Sequence, residues 1–409
     1  MKRKPKLLAP AGDFDKLVTA LDYGADCVYV GGKAYGLRAN AGNFDNEEIK
    51  KAAALTHKRG GELYLTVNIL AHNAHIVGLQ AYIREMISAG VDGFIAADAG
   101  VIALIRALDR GVNVSLSTQA SCTNYAAARF WHTAGVDRVI LARELSKEEI
   151  ALIRKETPQE LEIEIFVHGA MCIAYSGRCL LSSVLAGRSA NLGDCAQPCR
   201  WGYYVVEETR PGEYMPVLED ENGTYVFNSK DLCLIEHIGD IIDIGVDVMK
   251  IEGRMKSEYY IATVVGAYRK AIDAKLAQGE EYVFNPALLE EVKKISYREY
   301  TTGFFLDKPD VNAQAYDSAG YIRDWEFAGV VEAYDAKKQI VTVRQRNKVW
   351  ADSDVEIIGP DREAIAVHIG KLYDEAGDEI ESAPNAMQIF KFLLEKPVKK
   401  GDMLRQQRR

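Results

Sequence analysis

At 409 residues the chain is too long for one ordinary domain, yet a (β/α)8 barrel of about 250 residues with appendages would absorb it. Its 48% apolar and 27% charged residues suit a globular protein with ample core, and the net charge of −9 excludes a nucleic-acid binder working through bulk charge, though not an enzyme with one local basic groove. The basic N-terminal run MKRKPKLLAPAGD breaks at Pro10 and Gly12, too early for a signal peptide, and no window approaches the roughly 18 apolar residues of a membrane span. A cytoplasmic protein with reduced thiols and no membrane partner is expected.

The first half carries a repeat in which a helix-like segment ends in Gly, a small apolar residue and Asp, and a short apolar run follows. Instances are Gly24-Ala25-Asp26, Gly90-Val91-Asp92, Gly135-Val136-Asp137 and Gly245-Val246-Asp247, with Gly111-Val112-Asn113 as a close variant. Gly suits the left-handed position that ends a helix, and the apolar runs suit strands buried on both faces. Alternating helix and buried strand at this pitch means βα units and a parallel sheet.

Strands are expected at 7–11, 27–30, 63–68, 94–97, 114–117, 139–142, 163–167, 225–228 and 248–251, nine where a closed barrel takes eight. YYVVEE and YMPVLEDENGTYVF read as an antiparallel ribbon turning at Asn222-Gly223, which would absorb the surplus. A doubly wound open sheet is the alternative, but no Gly-rich phosphate fingerprint follows the first strand. The expected fold is therefore a TIM-like (β/α)8 barrel over residues 1–310 with a Cys-rich insertion at 168–224. Residues 258–277 have helical spacing, and from Trp325 short alternating strands predict a small β-barrel domain over 325–409.

The stretch from Phe166 to Arg200 holds Cys172, Cys179, Cys195 and Cys199, four of only seven cysteines, spaced C-x6-C-x15-C-x3-C. Four clustered thiolates suit a 4Fe–4S cluster. A zinc site is the second reading, although it usually takes two close Cys pairs, and buried small hydrophobes are the third. Cys233 is a substitute ligand for the fourth position. Cys27 and Cys122 read as structural. No G-x-S-x-G elbow or H-E-x-x-H helix is present, and Ser182-Ser183 after Cys179 have no base in sight.

Polar residues follow the strands: Asn68, Asp98, Gln119, Arg143-Glu144, His168, Asn228, Lys230-Asp231, Glu252, Arg254 and Lys256. In a barrel these converge on one mouth, where basic groups would hold a small polyanion; singly, each is as readily a cap or a salt-bridge partner. His168, four residues before Cys172, is a candidate metal ligand or proton donor, or a loop hydrogen-bonder. Arg38, in the Gly-rich loop YGLRANAGNF, is a further substrate candidate. His72 and His75 read as surface residues.

The run EIFVHGAMCIAYSGRCLLSS, with LLAPAG, STQASCTN, NSKDL and KIEGRMKS, resembles the collagenase-like peptidases, the thirty-second peptidase family of unknown catalytic type, over roughly residues 5–310. The resemblance implies oxygen-independent hydroxylation in place of proteolysis. The RPGEYMPVLEDENGTYVFNSKDL stretch and the β-rich tail look most like the branch that makes 5-hydroxyuridine at the tRNA wobble position, a branch associated with prephenate and iron–sulfur assembly. Carried over by motif, Cys172, Cys179, Cys195 and Cys199 are the cluster ligands, with Cys233 the alternative fourth.

No catalytic residue comes with the resemblance; strand-end position makes Glu252 and His168 the acid/base candidates and Arg254, Lys256, Lys230, Arg38 and Gln119 the substrate contacts. The expected partners are a tRNA anticodon loop, a small dicarboxylate such as prephenate, the iron–sulfur assembly machinery and a homologous partner chain. A metal- or thiol-dependent collagenase-like peptidase is the rival reading, and an RNA-binding scaffold the third.

Overall fold

The computed structural model describes residues 4–36, 42–171, 174–176, 178–188, 190, 194–201, 204–205, 215–216, 230–306, 321–360 and 362–408. Seven parallel strands, β1 (Lys6–Pro10), β2 (Cys27–Gly31), β3 (Glu62–Thr66), β4 (Gly93–Ala96), β5 (Asn113–Leu116), β6 (Arg138–Ile140) and β7 (Glu162–Ala170), pair in sequence order. An eighth, Val248–Ile251, pairs in parallel with both β7 and β1 and closes the ring. The expected barrel is confirmed, and eight of the nine anticipated strands build it.

Helices α1 (Phe14–Asp22), α2 (Asn46–Lys58), α3 (Asn73–Ser88), α4 (Ala99–Leu108), α5 (Tyr125–Thr133) and α6 (Lys147–Glu156) alternate with the strands. Among the described residues no helix is long and apolar enough to cross a membrane.

The Gly-apolar-Asp repeat performs three jobs at once. Gly24, Gly90, Gly135 and Gly245 have φ of 96°, 92°, 96° and 90°, a conformation that costs a side chain and suits Gly. The next amide reaches back to the helix, as Ala25 N does to the Ala20 carbonyl at 3.0 Å and Val136 N to Trp131 at 3.0 Å. The Asp carboxylate then accepts a backbone amide of the neighbouring strand: Leu7 at 2.8 Å from Asp26, Leu63 at 2.7 Å from Asp92, Val114 at 2.8 Å from Asp137 and Ile163 at 2.8 Å from Asp247. Arg269, His57, Arg106 and Arg154 sit against these carboxylates in turn. Among the described residues the Gly111-Val112-Asn113 variant makes no such latch; Asn113 accepts from the Ser115 hydroxyl at 3.1 Å.

Between β7 and the closing strand the chain leaves the ring. Helix α7 (Leu181–Ala186) and a 3-10 turn at Pro198–Arg200 lie in this excursion. The short strands β8 (Tyr204–Val205) and β9 (Met215–Pro216) pair antiparallel, in line with the expected ribbon; the Asn222-Gly223 turn and the ninth expected strand, 225–228, lie outside the described residues. Strand β10 (Asp231–Cys233) returns antiparallel along the end of β7, setting Cys233 opposite His168. Helix α8 (Ile238–Ile244) leads into the closing strand, hereafter β11, followed by α9 (Glu258–Gln278) and α10 (Ala287–Val292).

The C-terminal region is an eight-stranded antiparallel sheet curled around Val331, Val341, Val343, Val355, Ile357, Phe390, Phe392 and Leu404. Its end strands, Ile365–Ile369 and Glu379–Ile380, do not pair with each other among the described residues, and the small β-domain expected here is this curled sheet. It is bolted to α9 and α10. The fully buried Arg405 guanidinium grips Glu291 through two bonds of 2.6 and 2.8 Å and Glu356 through one of 2.8 Å, while Lys294 reaches Glu356 at 2.8 Å. Tyr259 stacks on Phe327 with ring centroids 5.4 Å apart.

Arg405→Ala strands Glu291 at this junction and leaves Glu356 with Lys294 alone. Both keep partial water access, so the expected destabilisation is on the order of 2–3 kcal/mol, below that of a fully buried pair. A denaturant midpoint equal to wild type would contradict it.

Candidate active site at the barrel mouth

The strands' carboxyl ends open on one face, and the side chains beneath it form a charged lumen instead of an apolar plug. Tyr29, Tyr64, Ile95 and Ile140 pack there with Leu8, Cys27 and Val248. Arg138, fully buried, lies 2.7 Å from Glu162, 3.4 Å from Glu164 and 2.8 Å from the Tyr64 hydroxyl. Lys250 donates to Glu164 at 2.9 Å and sits 4.5 Å from the centroid of the Tyr29 ring. Burial pushes the Lys250 ammonium's pKa down, against the attraction of Glu164. A buried charge survives only when paired, and here every one is.

Above that floor stands Glu252, whose Oε2 lies 2.9 Å from the Tyr29 hydroxyl. The same hydroxyl is 3.1 Å from the Ile251 carbonyl, which fixes the carboxylate over the end of β11. Arg254 follows and is buried. Its guanidinium lies flush on Gly31, where an added Cβ would stand 1.8 Å from Nη1 and 2.9 Å from Asn43 Oδ1. Only Gly admits that approach, which accounts for Gly31; at Gly32 an added Cβ would stand 2.1 Å from the Tyr82 hydroxyl instead. Gln119, 8% exposed, accepts from Asn68 at 2.8 Å and from Ser117 at 3.1 Å through Oε1. Both donors fix the amide's orientation and leave Nε2 buried without a partner among the described residues. The mouth thus offers a carboxylate, a guanidinium and an amide donor.

Other strand-end residues have local work. Asp98 caps α4 by accepting from Val101 N at 3.0 Å. Arg143 donates to the Ala170 carbonyl at 2.6 Å, and Lys230 pairs with Glu299 at 2.8 Å, so neither matches the free cation expected for substrate. His72 and His75 organise the start of α3, with His72 N donating to His75 Nδ1 at 3.0 Å. Arg38, Asn228 and Cys172 lie outside the described residues.

His168 is not at the mouth. It is 1% exposed, ringed by Tyr260, Tyr268 and Tyr300 at centroid distances of 6.0, 5.5 and 5.4 Å, with the Tyr268 hydroxyl 3.4 Å from Nδ1. Burial, with the nearby charge of Lys256, pushes its pKa down to about 3. It is a neutral packing residue on the α9 side of β7. The reason is a register shift: Phe166 pairs with Lys250 but His168 with Ile251, which resets the alternation of Glu162, Glu164 and Phe166.

Cys179, Cys195 and Cys199 are half-buried and, among the described residues, in no disulfide, and Cys195 Sγ accepts the Gln197 amide at 3.3 Å. Ser182 is a tie and not a nucleophile: Ala196 N donates to its hydroxyl at 2.9 Å, binding the Cys195 loop to the helix that follows Cys179. Cys27, Cys122 and Cys233 are buried instead, and burial pushes the thiols of Cys122 and Cys233 up to about 11. Cysteines outside disulfides, one of them accepting an N–H···S bond, fit the donor chemistry of an iron–sulfur cluster. Among the described residues no three His, Cys, Asp or Glu side chains converge on a metal position, and Cys172 is not among those residues.

Residues 12–315 match the model of peptidase family U32, and residues 323–405 match its C-terminal domain. The chain belongs to peptidase family U32. This U32 member is 43% identical over 403 residues to tRNA hydroxylation protein P1 of Bacillus subtilis, a match covering 98% of this chain and 95% of the relative. It is 37% identical to tRNA hydroxylation protein P of Escherichia coli, covering 87% and 86%. A protein named collagenase in Porphyromonas gingivalis is 37% identical over 279 residues, covering 66% of each.

The folded-state pKa of His168, about 3, lies below its ordinary 6.5, so between these values the unfolded chain binds the extra proton. Stability therefore falls as pH drops from about 6.5 toward 3. His168→Phe should remove that component, giving a shallower loss in denaturant midpoints measured across this range; an unchanged pH slope would refute the assignment.

Proposed function

We propose that this U32 chain is a tRNA-modifying enzyme that hydroxylates the wobble uridine to 5-hydroxyuridine without molecular oxygen, using prephenate or a similar small dicarboxylate as co-substrate. The observation that carries the reading is the near full-length match to a relative named for tRNA hydroxylation. The mouth supports it chemically. An unpaired anticodon base can be unstacked and read at its edge, and the Gln119 amide supplies a donor for a carbonyl oxygen. Arg254 supplies a guanidinium suited to a carboxylate, and Glu252, positioned by Tyr29, is placed to hold or move a proton. His168 keeps no acid/base role in this proposal.

Cys172, Cys179, Cys195 and Cys199 would hold a 4Fe–4S cluster, loaded by the iron–sulfur assembly machinery; bound there, it would supply electron-transfer chemistry. The peptidase reading rests on the collagenase relative. It gains little from His168, which is sequestered and cannot activate a thiol.

Glu252→Gln should abolish 5-hydroxyuridine in the tRNA of a strain relying on this chain, read by nucleoside mass spectrometry. Modification at the wild-type level would remove Glu252 from the mechanism, and its absence with the wild-type chain would sink the reading itself. For the cluster, Ser substitution at Cys172, Cys179, Cys195 or Cys199 should cut the iron content and broad visible absorption of anaerobically purified protein, whereas Cys233→Ser should leave both unchanged. Iron-free wild-type protein would overturn the assignment.

A further inference from the structure

Most cations near the barrel mouth and the domain junction are matched. Lys250 pairs with Glu164, Lys230 with Glu299, and Arg405 with Glu291 and Glu356. The balance fails at one place, where the loop after β11 meets the linker to the C-terminal sheet. The Tyr321 ring has the Lys256 ammonium 4.7 Å, the Arg298 guanidinium 4.7 Å and the Arg323 guanidinium 5.7 Å from its centroid. Arg298 also lies 3.2 Å from the Tyr321 hydroxyl. Arg298 is buried, Lys256 and Tyr321 are half-buried and Arg323 is exposed. Among the described residues no carboxylate pairs with Lys256 or Arg323.

Lys256 and Arg323, like charges around one ring, repel each other. The ring's quadrupole offsets part of that repulsion but brings no negative charge. What would neutralise these two is an external anion. Lys256 stands two residues beyond Arg254, which places the cluster beside the mouth. The side facing water carries a point charge from Lys256 and a planar fork from Arg323, a combination suited to phosphate oxygens. A small anion would be better served inside, beside the buried Arg254. A rim site instead suits a chain that passes over the surface, and phosphate contacts of this kind set position while base contacts specify.

We propose that Lys256 and Arg323, steadied by Tyr321, form a phosphodiester-binding subsite that anchors the RNA backbone next to the base admitted to the mouth. This rests on RNA being the substrate. It also explains how a chain of net charge −9 takes a polyanion, through local and not bulk charge.

The test uses the full-length protein and a tRNA anticodon stem-loop oligonucleotide, with binding measured by fluorescence anisotropy from 50 to about 300 mM salt. The double variant Lys256→Gln/Arg323→Gln should weaken binding roughly tenfold and lower the log–log salt slope by about 1.4, the contribution of two contacts to a single strand. Lys256→Arg/Arg323→Lys, which keeps both charges, should hold the slope near wild type. Inorganic phosphate at millimolar concentration should not displace the RNA. Unchanged affinity and slope in the double variant, at an unchanged thermal midpoint, would overturn the proposal. So would displacement by inorganic phosphate, which marks a small-anion site, or failure of the wild-type chain to bind the oligonucleotide. Binding is read without turnover, so RNA held through these residues by a chain that makes no 5-hydroxyuridine would sink the hydroxylation reading and keep the subsite.

Discussion

The barrel depends on a carboxylate accepting one amide from the strand beside it. Asp26, Asp92, Asp137 and Asp247 each stand directly before one strand and hold the second residue of its neighbour. Parallel pairing alone leaves the amide at a strand's start in need of a partner, and a buried amide without one is costly. The latch satisfies that amide and fixes register together, at every second strand of the ring. Because Gly ends the helix and the small apolar residue packs beneath it, helix exit, core contact and strand register are all set by three consecutive residues.

Inside the ring a different logic holds. Arg138, Lys250, Glu162 and Glu164 give little net stability beyond what well-packed apolar residues would, because removing each from water costs about as much as the pairing returns. What they supply is a fixed field under the mouth. Lys250 lies beneath Tyr29, and Tyr29 orients Glu252, so the carboxylate at the surface is linked to paired charge below it. A rigid, polar floor of this kind suits a site that must hold a reactant in one orientation.

Much of this was legible in the chain itself. The apolar runs bounded by Gly-X-Asp mark the strands, and closure into eight follows once the ninth run is given to the ribbon and the lack of a phosphate fingerprint disfavours an open sheet. The meaning of the Asp was not legible, since its partner lies 19 to 84 residues away. The lumen charges left a trace that a closer reading would use: Glu162 and Glu164 alternate with Ile163 and Ile165, and Lys250 interrupts a strand buried on both faces. Tyr29 left none. His168 misled because simple alternation aligns it with Glu162, Glu164 and Phe166, and a register shift cannot be read from one strand alone. The rim cluster was hidden for another reason: Lys256 and Arg323 lie 67 positions apart and share only the Tyr321 ring.

The Asp247 latch has a bearing on how this fold tolerates change. It ties Ile163 and Arg154 to a residue 84 and 93 positions further along, and the whole cysteine-bearing excursion hangs between those pins. The closure entropy of a loop grows only slowly with its length, so an excursion with pinned ends can be lengthened, shortened or rewritten with little strain on the ring. The segment is in effect a cassette. Its chemistry can change while the ring that presents it stays the same.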